Sequence, residues 1–178
     1  RNCGKSSSSG ACVHSPFNCM NAIRKISPAR LWFIGIAAIY TFLLATYANF
    51  TPFYDGGIYY FSLLRLISEP FRWELLHMEG HPSPVYTMLM AWSQLISQGA
   101  TIPMFATNMA LALFAAWTFY KLLGLLTRNS TTETERMIAA GIYALMPVFV
   151  VHLFHINLDI GLSFFFVPYL YYLLKGRP

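Results

Sequence analysis

Charge is scarce in this sequence. Only 11% of its 178 residues are Asp, Glu, Lys or Arg, against roughly 25% in an ordinary soluble domain. A chain so poor in charge cannot clothe a normal water-facing surface. Cysteine is also scarce: Cys3, Cys12 and Cys19 all fall within the low-complexity opening "RNCGKSSSSGACVHSPFNCM". An odd number without metal-ligand spacing excludes a disulfide framework and a zinc site. The apolar runs lack period-two alternation, which excludes a porin-like barrel, and there is no internal repeat. Lys and Arg are scattered rather than gathered into a stripe, so the net charge of +5 does not indicate nucleic acid.

What is present is apolar: 56% of the residues are hydrophobic and 17% aromatic. Three runs, 31–50, 102–126 and 137–156, are long enough for a hydrocarbon core of about 30 Å, which takes about 20 helical residues. A fourth, 160–174, is shorter and is extended by Asn157 and Leu158. Backbone amides in lipid must be satisfied within their own segment, so the runs are expected to be helices. The predicted fold is therefore all-α, a polytopic transmembrane helical bundle of about four spans. Residues 1–30 form a disordered or cytoplasmic amino-terminal tail in this reading. Within it, Met20 opens a conventional beginning, "MNAIRKISPARLWFIG". The first run exceeds the apolar region of a cleaved signal peptide, and no small-residue cleavage site follows it. It reads as a retained anchor of an integral, multi-pass membrane protein.

Residues 85–98 would rise only about 21 Å as a helix, too short to span comfortably. Ser83, Thr87, Gln94 and Gln98 share one face of it, so it is expected at the interface. From Ile58 onward, Leu63, Leu66 and Ile67 around Arg65 predict a second juxtamembrane helix in the same outer loop. If 85–98 does not cross, ten of the twelve Lys and Arg lie on the amino-terminal side, leaving only Arg65 and Arg72 opposite. The opposite choice puts seven of the twelve outside, against the cytoplasmic bias of basic residues. The chosen topology gathers Asp55, Glu69, Glu74, Glu79 and Asp159, with His77, His81, His152 and His155, on the outer face.

Asp55, in "YDGGIYYFSLLRLI", has two readings. Asp-Gly-Gly is ordinary turn chemistry. A carboxylate at the membrane edge, flanked by Tyr54, Tyr59 and Tyr60, is also placed to exchange a proton. Asp159 is a good N-cap for the apolar helix that follows, and a helix start also presents amides to an anion. "HMEGHP" brings His77, Glu79 and His81 close in sequence, but not at the spacing of a metalloprotease helix, so no metal is expected. Pro147 and Pro168 lie within predicted spans and predict bends.

The order of these elements resembles the GT-C superfamily of polyprenyl-phosphate-sugar-dependent glycosyltransferases, which includes protein O-mannosyltransferases and lipid A aminoarabinose transferases. The matching residues are Asp55, Tyr59 and Tyr60; Gly80, His81, Pro82 and Tyr86; and Leu158, Asp159, Gly161, Leu162, Ser163, Phe164 and Phe165. Two departures stand out: relatives carry two adjacent acids where Asp55 is followed by Gly56, and a second proline where Ser83 stands. The resemblance implies that 31–178 is the amino-terminal part of a longer transmembrane catalytic module. It implies transfer of a sugar from a polyprenyl-phosphate donor to an acceptor protein, lipid or glycan on the outer face, in the bacterial inner membrane or the endoplasmic reticulum, with no cofactor. Asp55 would be the catalytic base, with Asp159, Tyr59, Tyr60, Arg65, Arg72, His81 and Tyr86 binding substrate. A transporter or channel with an outer proton or ion site is the alternative.

Overall fold

The computed structural model describes residues 27–47, 55–69, 84–97, 100–128, 130–154 and 158–176. Among these every regular element is an α-helix: α1 (Pro28–Tyr47), α2 (Asp55–Ser68), α3 (Pro84–Ser97), α4 (Ile102–Leu126), α5 (Glu133–Leu145), α6 (Pro147–His152) and α7 (Leu158–Lys175). Two of them, α1 and α4, are long and apolar enough to cross a membrane.

Local chemistry sets several of the boundaries. Pro28 occupies the first helical position of α1, where its missing amide costs nothing. Thr132 caps α5 in a reciprocal box: its hydroxyl accepts from the Glu135 amide at 3.2 Å, and the Thr132 amide donates to Glu135 Oε2 at 2.8 Å. Within the helices, the hydroxyls of Thr41, Thr46, Thr107 and Thr118 donate back to carbonyls four residues earlier. Those polar groups therefore need no partner from outside their own helix.

Helix α4 is the element on which α1, α3, α5 and α7 all pack. Its contact face carries Ala112, Ala115 and Ala116, all buried, and such small side chains let neighbouring backbones approach closely. Ring contacts fix the chain directions. Phe33 meets Trp117 and Tyr120 edge-on at 5.0 and 6.0 Å, whereas Tyr47, at the other end of α1, meets Phe154 at 5.4 Å, and Phe154 in turn meets Phe105 at 5.4 Å. Helix α1 therefore runs with α5 and α6 and against α4.

The run 137–156, expected as one helix, is divided. Met146 adopts φ −56° and ψ 130° between α5 and α6. Pro147 disfavours helical geometry at the residue before it and has no amide to donate. The interruption frees carbonyls at the end of α5, and one of them, Ala144 O, accepts a 2.6 Å hydrogen bond from the Tyr40 hydroxyl of α1. A residue 104 positions away thus closes the gap that the proline opens.

Helices α2 and α3 are short, as expected, but α3 exposes Val85, Met88, Leu89 and Trp92 and buries Thr87 and Ser93, so the face expected to be polar and outward is turned inward. The α2 helix buries Ser62, Leu63 and Leu66 and exposes Phe61, Arg65 and Ser68. It begins at Asp55, so Asp55, Gly56 and Gly57 form a first helical turn instead of a separate loop turn. Large apolar side chains remain exposed on every described helix, long or short, among them Phe42, Phe61, Trp92, Phe114, Ile142 and Phe166. Apolar surface of that extent is a liability in water.

Candidate functional site

The candidate site is the region where α2, α3, α4 and α7 meet. Leu63, Tyr86, Met90 and Met104 form a buried cluster there, with Ala91, Leu111 and Phe165 packed against it. The four helices contribute because each brings an apolar stripe to the same point: α2 through Leu63, α3 through Tyr86 and Met90, α4 through Met104, and α7 through Phe165.

Tyr86 is the centre of this packing. It is 1% exposed, and its hydroxyl donates to Asn108 Oδ1 at 2.9 Å. The Asn108 amide in turn donates to Leu153 O at 3.3 Å. On the other face of the ring lies Gly161, so close that a Cβ there would stand 2.9 Å from Tyr86 Cγ. One side chain therefore ties α3 to α4, the end of α6 and the first turns of α7. Thr87, on the face predicted to be polar, is fully buried beside it.

The predicted site residues fall as follows. Asp55 opens α2, with Tyr59 and Tyr60 one turn on, and Asp159 is the second residue of α7. Only the backbone of these four is described. Asp159 stands within the first helical turn and not ahead of it, where the N-cap expected of it would be. Arg65 lies in the last turn of α2 with an exposed side chain. Tyr86, expected at the substrate, sits in the interior with its hydroxyl engaged. Arg72 and His81 lie outside the described residues, as do His77 and Glu79. No group of three His, Cys, Asp or Glu is gathered among the described residues.

Asn108 was not singled out in the sequence, because one amide in a 25-residue apolar helix has no periodic signal. Ser163 and Tyr143, with Phe149, Leu162, Phe166 and Val167, line a groove of about 400 Å³ between α5, α6 and α7. The Tyr143 hydroxyl is buried there and makes no hydrogen bond among the described residues.

No family model, curated protein or solved structure matches this chain.

Proposed function

We propose that the chain is part of an integral membrane glycosyltransferase that moves a sugar from a polyprenyl-phosphate carrier to an acceptor on the outer face. The observation that supports this reading is that the two helices with an acid in their first turn, α2 with Asp55 and α7 with Asp159, are held on one cluster through Leu63, Tyr86 and Phe165. In this reading α1, α4, α5 with α6, and α7 are four spans, and α2 and α3 lie along the outer surface. The charge pattern agrees: Arg30, Lys121, Arg128 and Arg136 lie at the end where α1 starts and α4 closes, as expected for a cytoplasmic face.

The carrier's oily tail stays in lipid while its headgroup enters the outer site. Asp55 takes the proton of the acceptor hydroxyl as that oxygen attacks the anomeric carbon with inversion, and the polyprenyl phosphate departs. Negative charge then grows on the leaving phosphate, which Arg65, Arg72 and the amides opening α7 can stabilise. Asp159 orients the acceptor or donor. The test is Asp55→Asn in the membrane-reconstituted protein, assayed for transfer from a polyprenyl-linked sugar. Loss of about 10²- to 10⁴-fold is expected for removal of a general base. Undiminished transfer would remove Asp55 from the mechanism.

One observation favours a second reading. The interruption at Met146–Pro147 makes α5 and α6 a broken helix, and discontinuous helices carry the ion sites of many transporters. Proton or sodium flux in proteoliposomes, abolished when Pro147 is replaced, would favour transport over transfer.

A further inference from the structure

We propose a binding site for an anionic phospholipid at the end of the molecule opposite the candidate site. This inference rests on the membrane placement of the reading above and on none of its chemistry. Between α1 and α4 runs a groove of about 540 Å³, lined by Arg30, Phe33, Ile34, Ala37, Leu113, Phe114 and Trp117. Its walls are apolar apart from Arg30. From Arg30 to Ala37 it extends about 10 Å along α1, taking 1.5 Å per residue, enough for the upper part of one acyl chain.

The mouth of the groove is cationic. The Arg30 side chain is exposed at one lip. Across from it, outside the lining itself, the Lys121 ammonium lies 4.7 Å over the ring of Trp117, which is a lining residue, and 5.3 Å over Tyr120. The Arg136 guanidinium lies 5.3 Å over the same Tyr120. One carboxylate, Glu133, stands beside Tyr120, and Glu135 is engaged in the cap of α5. The buried packing of Ala29, Tyr120 and Ala140 holds these helix ends together. An apolar slot opening between cations at the level of an aromatic belt matches a headgroup phosphate with its chain below. A zwitterionic lipid would forfeit part of that attraction, because its own ammonium or choline group would face the same cations.

The test is native mass spectrometry of the detergent-solubilised full chain, titrated with phosphatidylglycerol and with phosphatidylcholine. The wild type is expected to bind the anionic lipid at least about fivefold more tightly, and each cation removed by Arg30→Gln or Lys121→Gln to cost about fivefold of that preference. Both side chains are exposed, so the fold should survive. Ala37→Phe keeps every cation but fills the groove, and it should abolish the preferred binding. Equal affinity for the two lipids would overturn the proposal, as would a preference that persists in the Arg30→Gln, Lys121→Gln double variant. A preference surviving Ala37→Phe would assign it to diffuse surface charge, and displacement by inorganic phosphate to a free-anion site; each overturns the lipid site. These readouts do not depend on sugar transfer. Loss of transfer in Asp55→Asn with lipid preference intact bears on the other end of the molecule alone.

Discussion

The hydroxyl of Tyr86 donates to Oδ1 of Asn108 at 2.9 Å in the interior of the fold. In a lipid-immersed protein, apolar burial gives little drive for helices to associate, so dispersion and interhelical hydrogen bonds carry more of the cohesion. This bond joins a helix too short to span to the longest of the described helices. A double-mutant cycle of Tyr86→Phe and Asn108→Ala, read by reversible unfolding in mixed micelles, should give a coupling of about 0.6 kcal/mol and not above about 1.7 kcal/mol. Strictly additive effects would show that the bond does not hold α3 in place.

Glycines at three helix positions should respond differently to the same methyl group. At Gly161 an added Cβ meets three ring atoms of Tyr86 at 2.9 to 3.1 Å, and that ring is buried and tethered by its hydroxyl. Gly161→Ala is therefore expected to cost about 1–3 kcal/mol, the usual penalty of overpacking. At Gly141 the obstacle is Trp32 Cζ2 at 2.8 Å, but Trp32 is 40% exposed and can swing aside, so Gly141→Ala should cost less. At Gly35 nothing lies within 4 Å, and Gly35→Ala should stabilise α1 by about 0.5–1 kcal/mol through helix propensity. Adding Tyr86→Leu to Gly161→Ala should leave the double variant more stable than the sum of the singles predicts.

Tyr40 and Pro147 act on the same carbonyl from different sides. With Pro147 present, the Ala144 carbonyl is released from the helical ladder and taken by the Tyr40 hydroxyl at 2.6 Å. Pro147→Ala lifts the restriction on Met146 and lets the Val148 amide return to Ala144 O. Tyr40→Phe should then cost about 1 kcal/mol in the wild type, the typical net value of a hydrogen bond, and distinctly less in the Pro147→Ala background. Equal costs in both backgrounds would mean that the tyrosine does not substitute for the missing amide.

Much of this architecture was legible in the chain, and the reasons differ by element. Helices α1 and α4 follow from length and apolarity alone, and α3 from a run, 85–98, too short to span. The juxtamembrane helix α2 showed in the spacing of Leu63 and Leu66. What the sequence did not disclose was pairing at a distance. Pro147 announced a bend, but nothing near it named Tyr40 as the group that closes the gap. Tyr86 was expected at the substrate, and its place in the interior could not be read locally, because it depends on Gly161 and Asn108, which lie 75 and 22 positions away in the chain. Asp159 was readable as an acid at a helix start and Asp55 only as a turn or membrane-edge acid, and the cluster that their two helices share became visible only through the packing of Leu63 and Phe165.

The cap of α5 makes a pH prediction. Hydrogen bonds from the Thr132 amide, and then from its hydroxyl, hold the Glu135 carboxyl below its usual range. A carboxylate with a depressed folded pKa contributes stability above its unfolded pKa, about 4.3, and the contribution is lost as pH falls through the lower folded value. Amide exchange at the start of α5 should therefore quicken as pH drops below about 4, once corrected for intrinsic rates. Thr132→Ala, which keeps the amide and loses only the hydroxyl, should weaken that dependence without abolishing it. Glu135→Gln, which can still accept from the Thr132 amide, should leave protection that no longer varies with pH in this window.

Whether α3 crosses the membrane decides whether Asp55 and Asp159 can ever share a site. Helix α3 has 14 residues, a rise of about 21 Å against a hydrocarbon core of about 30 Å. If it lies along the surface, two crossings separate the acids, α4 and then α5 with α6, and both emerge on one side. If it crosses, the count becomes three and they part. Labelling of single cysteines at Ser68, in the last turn of α2, and at Ser130, between α4 and α5, distinguishes these cases after Cys3, Cys12 and Cys19 are replaced by serine. Both positions are exposed. A membrane-impermeant maleimide should reach Ser68→Cys only from outside and Ser130→Cys only from the cytoplasmic side, where Arg128 and Arg136 flank it. Labelling of both from the same side would mean that α3 crosses, and the two acids would then lie in separate compartments with no common chemistry.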